Sequence, residues 1–209
     1  MLSKQQVIDW VSALAQRYEE KKDYLTELDT AIGDADHGNN LNRGFQKVKS
    51  KLVEMEDKNI ADILKMVAMT LISSVGGASG PLYGTFFLEA GMKLGKKEEL
   101  NGEDLVIFWE AGINGVIKRG KAAAGDKTML DTLLPALETL KESVSTGAST
   151  TEALKKMTES AQQGMESTIP MVARKGRASY LGERSKDHQD PGATSSFYMI
   201  ELMAEVATR

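Results

Sequence analysis

At 209 residues with 41% hydrophobic residues, the chain is sized for one domain with a substantial core, which excludes global disorder. Thirty acids against 26 bases leave a net charge of −4, without a long basic run, which excludes a general nucleic-acid binder. The absence of cysteine excludes disulfides and Cys-ligated zinc or iron–sulfur sites, and points to the reducing cytoplasm.

The N-terminal segment is amphipathic and carries an acid, so it does not read as a signal peptide. Val7, Trp10, Val11, Leu14 and Tyr18 recur at spacings of three and four, and Ser3 with Gln6 forms a capping-box pattern ahead of them. The Lys and Glu residues at 19–22 read as a solvated helix face. Between 29 and 40 the chain changes character: Asp29, Asp34 and Asp36 fall within one short stretch broken by glycines, followed by His37. Three carboxylates held close together repel unless one is protonated or a cation joins them. An all-oxygen ligand set suits Mg²⁺ or Ca²⁺ better than zinc, and the spacing is not that of an EF-hand. The same residues also suit a solvated acidic turn with Asp as a helix cap.

A short helix is expected at 40–52, then a longer one on Ile60, Ile63, Leu64, Val67 and Leu71. Gly76-Gly77-Ala78-Ser79-Gly80-Pro81 follows, with Pro where a first helical turn begins, leading into a short helix at 81–94. Exposed N–H groups at such a helix start suit an anion such as phosphate, although the segment also fits a plain connection. Asn101 caps a helix on Leu105, Phe108, Trp109, Ile113 and Val116.

The segment 120–128, with Gly120, Gly125, Lys127 and Thr128, approaches a P-loop pattern. However, Asp126 stands between the last Gly and the Lys, and a helix rather than a strand precedes it. The P-loop reading is therefore rejected, and Thr128 reads as the cap of a helix that runs through Leu133, Leu137 and Leu140, with Pro135 inside it. Ser149 and Glu152 open a helix through Leu154, Met157, Ala161 and Met165, and a last helix runs from about Ala193 to Val206. The methionines at helical spacing read as core filler.

Between those two helices lies a segment long for a helical bundle, containing Arg177, His188 and Asp190-Pro191-Gly192. Arg177 suits phosphate oxygens. His188 reads as an ordinary loop residue.

No segment alternates with period two, so the expected fold is all-α with seven or eight helices in one domain. The glycine-rich loops at 33–44, 76–80, 120–125 and 176–192 concentrate the polar and acidic residues, which suggests one shared site at one end of the bundle. No apolar stretch is long enough to span a bilayer.

Four stretches, TELDTAIGDADHGNN, GGASGPLYGTFF, GDKTMLDTLLPAL and GRASYLGERSKDHQDPGATS, appear together and in this order. Jointly they resemble the nucleotide-binding L subunits of bacterial dihydroxyacetone kinases over nearly the whole chain, 1–209. The resemblance implies a barrel of eight antiparallel helices with nucleotide at one end. It implies that Asp29, Asp34 and Asp36 hold Mg²⁺, in a pair of ions bridging the phosphates of ADP or ATP. It further implies nucleotide contacts at His37, Gly38, Asn39, Asn40, Ala78, Ser79, Gly120, Met129, Arg177, Asp190, Pro191 and Gly192.

In that family a separate K subunit holds dihydroxyacetone covalently, and the L subunit delivers the γ-phosphoryl. The chain is L-sized, which favours the type in which ADP stays bound and a phosphohistidine on the M subunit of the sugar phosphotransferase system rephosphorylates it. The 176–192 loop is the expected lid. Two other readings remain open: a helical kinase module for another acceptor, and a non-catalytic regulatory module. A homodimer is also open. Neither nucleic acid nor membrane is an expected partner.

Overall fold

A computed structural model describes residues 1–209. Nine α-helices account for most of the chain: α1 (Lys4–Glu20), α2 (Lys22–Ile32), α3 (His37–Leu52), α4 (Ile60–Ser74), α5 (Ser79–Leu94), α6 (Gly102–Gly120), α7 (Met129–Ser145), α8 (Thr150–Ser167) and α9 (Pro191–Ala207). Short 3-10 helices occupy Val53–Met55 and Arg177–Ser185.

The helix starts follow local chemistry. Ser3, Asn101, Thr128 and Ser149 each cap the helix that follows and form a reciprocal capping box with Gln6, Asp104, Asp131 and Glu152. Asn59 and Asp190 cap α4 and α9 with single side-chain bonds. Pro135 lies within an unbroken α7. Its ring nitrogen cannot donate to the Asp131 carbonyl one turn back. Gly164 of α8 lies against that carbonyl, at a spacing that leaves a Cβ only 2.3 Å from it.

Each helix packs on its sequence neighbour from α3 through α9, and α1 closes the ring by packing on both α9 and α3. The result is a barrel of eight helices with α2 added beside α3, as the all-α expectation requires. Its interior is a single cluster in which Trp10, Phe86, Phe87, Phe108 and Trp109 meet edge to face or tilted, with centroids 5.2–6.4 Å apart. The Trp10 indole N–H donates to the Met199 carbonyl at 2.9 Å, tying α1 to α9.

Four expectations need correction. First, α2 is a separate helix. Its buried residues are only Leu25, Asp29 and Ile32, so the apolar stripe is interrupted by an acid. Second, α3 and α5 start at His37 and Ser79, earlier than apolar periodicity indicated, because their first turns are polar.

Third, the fold is not wholly free of strand: Leu2–Ser3 (β1) and Glu99–Leu100 (β2) pair antiparallel, too briefly for alternation to register. Fourth, not every methionine fills the core, since Met69 and Met92 are exposed.

The β1–β2 pair, the α3–α4 connection and the α5–α6 connection meet at one end, where Lys4 N–H donates to the Glu98 carbonyl and Ile60 N–H to the Lys97 carbonyl. At that end the Gln6 amide also donates to the Val206 carbonyl. The opposite end gathers the starts of α3, α5, α7 and α9.

Candidate functional site

Three of the four glycine-rich loops converge, and the 120–125 loop reaches only an adjoining pocket, through Gly120 and Ala122. Residues from 29–37, 77–79, 127–129, 175–178 and 190–192 line one cleft. Its wall includes the first residues or caps of four helices: His37 of α3, Ser79 of α5, Thr128 and Met129 of α7, and Asp190 and Pro191 of α9. Each helix start carries partial positive charge and N–H groups without intrahelical partners. Four of them facing one space make a site for an anion.

At the start of α3 sits the acidic cluster. One carboxylate oxygen from each of Asp29, Asp34 and Asp36 lies within 4.8 Å of the others. Asp29 is buried at the end of α2, and its Oδ2 accepts from Asp36 N–H at 2.8 Å and His37 N–H at 3.0 Å, capping α3 from outside. Its other oxygen lies over Gly33, where an added Cβ would come within 2.0 Å of Oδ1. Gly33 therefore holds open the space that Asp29 occupies. Asp34 is half-exposed and pairs with the Arg177 guanidinium at 2.7 Å. The three groups offer only carboxylate oxygens, gathered in one place, and this donor set fits Mg²⁺.

His37 is buried on the cleft floor between two hydroxyls, with Nδ1 3.1 Å from Ser79 Oγ and Nε2 2.8 Å from Ser195 Oγ. Burial lowers the imidazole below its ordinary range, against the pull of Asp29, Asp36 and Asp34. Ser195 also meets the Tyr83 hydroxyl at 2.6 Å and donates to the Gly192 carbonyl at 3.1 Å, while its own carbonyl accepts from Tyr18. This buried chain fixes α1, α3, α5 and α9 to one another directly under the cleft.

Asp190 caps α9 by accepting from Ala193 N–H at 2.7 Å. Burial pushes its carboxyl up to about 7, although the Ala193 N–H and the Lys127 ammonium oppose that.

A second pocket shares Ala78, Leu82, Thr128, Met129, Lys175 and Gly176 with the first. Pro81, Val116, Ala122 and Leu130 give it an apolar lining, and Gly120 and Arg119 also line it. One elongated space therefore has a charged end and an apolar end, the division of a nucleotide into phosphates and base.

Of the residues expected at the site, Asp29, Asp34, Asp36, His37, Ala78, Ser79, Met129, Arg177, Asp190, Pro191 and Gly192 line the first pocket, and Gly120 the second. Gly38, Asn39 and Asn40 line neither. Gly38 lets α3 cross α2, since a Cβ there would sit 2.0 Å from the Lys22 carbonyl. Asn39 is exposed, and Asn40 accepts from Arg43 at 2.6 Å. Tyr83, Ser195 and Lys175 were not singled out from sequence, and Lys127 was considered only in the rejected P-loop pattern. The only available sign was a pair of serines and a tyrosine inside otherwise apolar helices.

The DAK2 domain model matches residues 31–205. The ADP-binding subunit DhaL of the PEP-dependent dihydroxyacetone kinase of Escherichia coli (strain K12) is 50% identical over 206 residues, covering 99% of this chain and 98% of that one. The ADP-binding subunit DhaL of the PTS-dependent kinase of Lactococcus lactis is 41% identical over 206 residues, covering 99% of each. The solved dihydroxyacetone kinase of C. freundii in complex with AMP-PNP and Mg²⁺ superposes with a TM-score of 0.70 at 27% identity. That match takes in 95% of this chain but only 33% of the C. freundii chain.

Proposed function

We propose, from the premise that this chain belongs to the DAK2 domain family, that it is the ADP-binding subunit of a dihydroxyacetone kinase. Residues 1–209 form the nucleotide-binding domain. It passes a phosphoryl group from bound nucleotide to dihydroxyacetone held by a K subunit, and an M subunit fed by phosphoenolpyruvate restores the nucleotide in the cytoplasm. One observation carries this reading: three carboxylates and four helix starts line one cleft, and an apolar pocket adjoins it. A metal–polyphosphate with an attached base has that same order of charge.

The division of labour follows from the side chains. Asp29, Asp34 and Asp36 would hold Mg²⁺, which when bound neutralises phosphate charge during transfer. The starts of α5, α7 and α9 take the phosphate oxygens, and Arg177 closes over them from the lid. Met129, Leu82, Val116 and Pro81 bury the base.

Neither His37 nor Lys127 is free to act as a nucleophile in the cleft. Both His37 nitrogens are engaged by hydroxyls, and the Lys127 ammonium is spent on carbonyls. The chain's part is therefore to position the nucleotide and exclude water, while the phosphoryl moves directly between nucleotide and partner-held groups.

The test is titration calorimetry of Mg-ADP into nucleotide-free protein, followed by reconstitution with the K and M subunits of a relative. One-to-one binding that EDTA and Asp34→Ala both abolish is expected, with phosphoenolpyruvate-dependent phosphorylation of dihydroxyacetone. Protein that ignores nucleotide with and without Mg²⁺ would refute the reading. Retained as against freely exchanging ADP separates the phosphotransferase-fed kinase from an ATP-exchanging module.

A further inference from the structure

Lys127 stands beside the cleft and is fully buried, yet the proposed chemistry does not use it. Its ammonium donates to the carbonyls of Thr168 at 2.8 Å, Met171 at 3.0 Å and His188 at 2.6 Å, with Ile169 further off at 3.4 Å. An ammonium has three protons, so its donor capacity is spent on these three close carbonyls and none is left for a phosphate. The residue is held in the left-handed region at φ 61°, a conformation that non-glycine residues keep only when the surroundings impose it.

The three carbonyls bracket one segment. The chain leaves Lys127 at Met171, passes over the cleft as Lys175, Gly176 and Arg177, and returns to Lys127 at His188. The neighbouring backbone adds to this footing: Arg174 N–H donates to the Asp126 carbonyl at 3.0 Å, Asp187 N–H to Ile169 at 2.8 Å and Asp190 N–H to Thr168 Oγ1 at 3.1 Å. Beyond the footing, the covering segment rests on the rest of the molecule through Ala178 packed on Ile32 and through the Arg177–Asp34 pair.

Residues 126–129 thus hold the lid with one side and line the cleft with the other.

We propose that Lys127 is a positioning residue that fixes both ends of the 171–188 lid and thereby sets how long nucleotide stays bound, an inference that rests on the nucleotide reading above. Without the ammonium, three carbonyls that converge on it lose their common partner, and the lid swings from looser ends. The lid then opens more often while the barrel, whose core does not include Lys127, keeps its packing.

The test compares wild type with Lys127→Met, which keeps the length and removes every donor, and with Lys127→Gln, which keeps two. Release of a fluorescent Mg-ADP analogue is followed by displacement, and amide exchange is measured on the nucleotide-free proteins. Release is expected to quicken on the order of tenfold to a hundredfold in Lys127→Met and less in Lys127→Gln, tenfold corresponding to about 1.4 kcal/mol. Exchange should quicken at Arg174, Asp187 and Asp190 and stay unchanged in α1, α4 and α5.

A folded Lys127→Met with wild-type release and exchange overturns the proposal, as does faster exchange spread evenly over the barrel. If Lys127→Met is insoluble, Lys127→Gln decides alone by the same two readouts. If neither folds, Lys127 is a folding residue and the proposal falls. Wild type that binds no nucleotide refutes the functional reading instead, while the exchange contrast still reports on the footing.

Discussion

Replacing Gly33 by alanine adds one methyl group and tests how the acidic cluster is built. Gly33 has φ −139°, outside the left-handed region, so the cost is one of space. The new Cβ would lie 2.0 Å from Asp29 Oδ1, 2.9 Å from its Cγ and 3.1 Å from its carbonyl oxygen. The carboxylate must turn away, and Oδ2 then releases Asp36 N–H and His37 N–H. Hydrogen bonds to a charged group are worth roughly 1.5–3 kcal/mol each, so losing both, with partial rehydration of the N–H groups, costs about 3 kcal/mol. For a chain of this size that lowers Tm by about 6–12 °C.

Binding of Mg-ADP should fall together with stability, because the side chain that caps α3 is also one of the three carboxylates that would hold Mg²⁺. Scanning calorimetry with and without Mg-ADP provides the assay. Asp29→Asn, which keeps shape and one acceptor, should lose less Tm but as much Mg²⁺ dependence. A Gly33→Ala protein that melts within about 1 °C of wild type and binds Mg-ADP normally would refute the reasoning, given the size of effect expected here.

Arg177→Ala removes an ion pair whose partners are 67% and 34% exposed, so stability should change by less than about 1 kcal/mol while nucleotide release quickens. Equal melting curves with unequal retention would bear this out. Ser195→Ala strips a partner from both His37 and Tyr83 and should cost about 1–3 kcal/mol in the urea midpoint. Ser196→Ala, whose contact with Tyr83 is 3.3 Å, should cost less, and the reverse order would refute the chain of bonds.

Burial raises Tyr18 well above the ordinary phenol range and pushes Tyr83 and Tyr198 up to about 12. A folded value above the unfolded one gives stability that is present below the unfolded pKa and lost as pH climbs through the folded one. Unfolding should therefore be favoured progressively from about pH 10 upward. Phenolate absorbance should show at most two of the five tyrosines ionising before helical circular dichroism is lost.

Helix starts were legible at three capping pairs, while the Asn59 cap of α4, with Asp62 three residues on, went unread. Ser3 with Gln6, Thr128 with Asp131 and Ser149 with Glu152 need no tertiary information. Helix α2 was not legible because the position that would complete its apolar stripe is Asp29, which faces the cleft. A carboxylate that lines the cleft broke the local pattern.

The place of Lys127 was hidden for a related reason: its three acceptors lie more than forty residues away. Rejecting the P-loop was correct, but nothing local showed where the ammonium goes instead. The convergence of three of the glycine loops could be foreseen, whereas the hydroxyl chain of Ser79, His37, Ser195 and Tyr83 joins three separate helices and depends on their packing.

The β1–β2 pairing and the Gln6–Val206 bond lie at the end remote from the cleft, so the first and last residues of the barrel leave side by side on its far pole. A polypeptide continuing from either terminus would run away from the mouth and leave it clear for a visiting protein. The same geometry tolerates life as a freestanding body or as one bead on a longer string, and it fits a match to only a third of the C. freundii enzyme. Purification handles and tethers are best attached at that pole, and grafts on the opposite rim would obstruct the entrance.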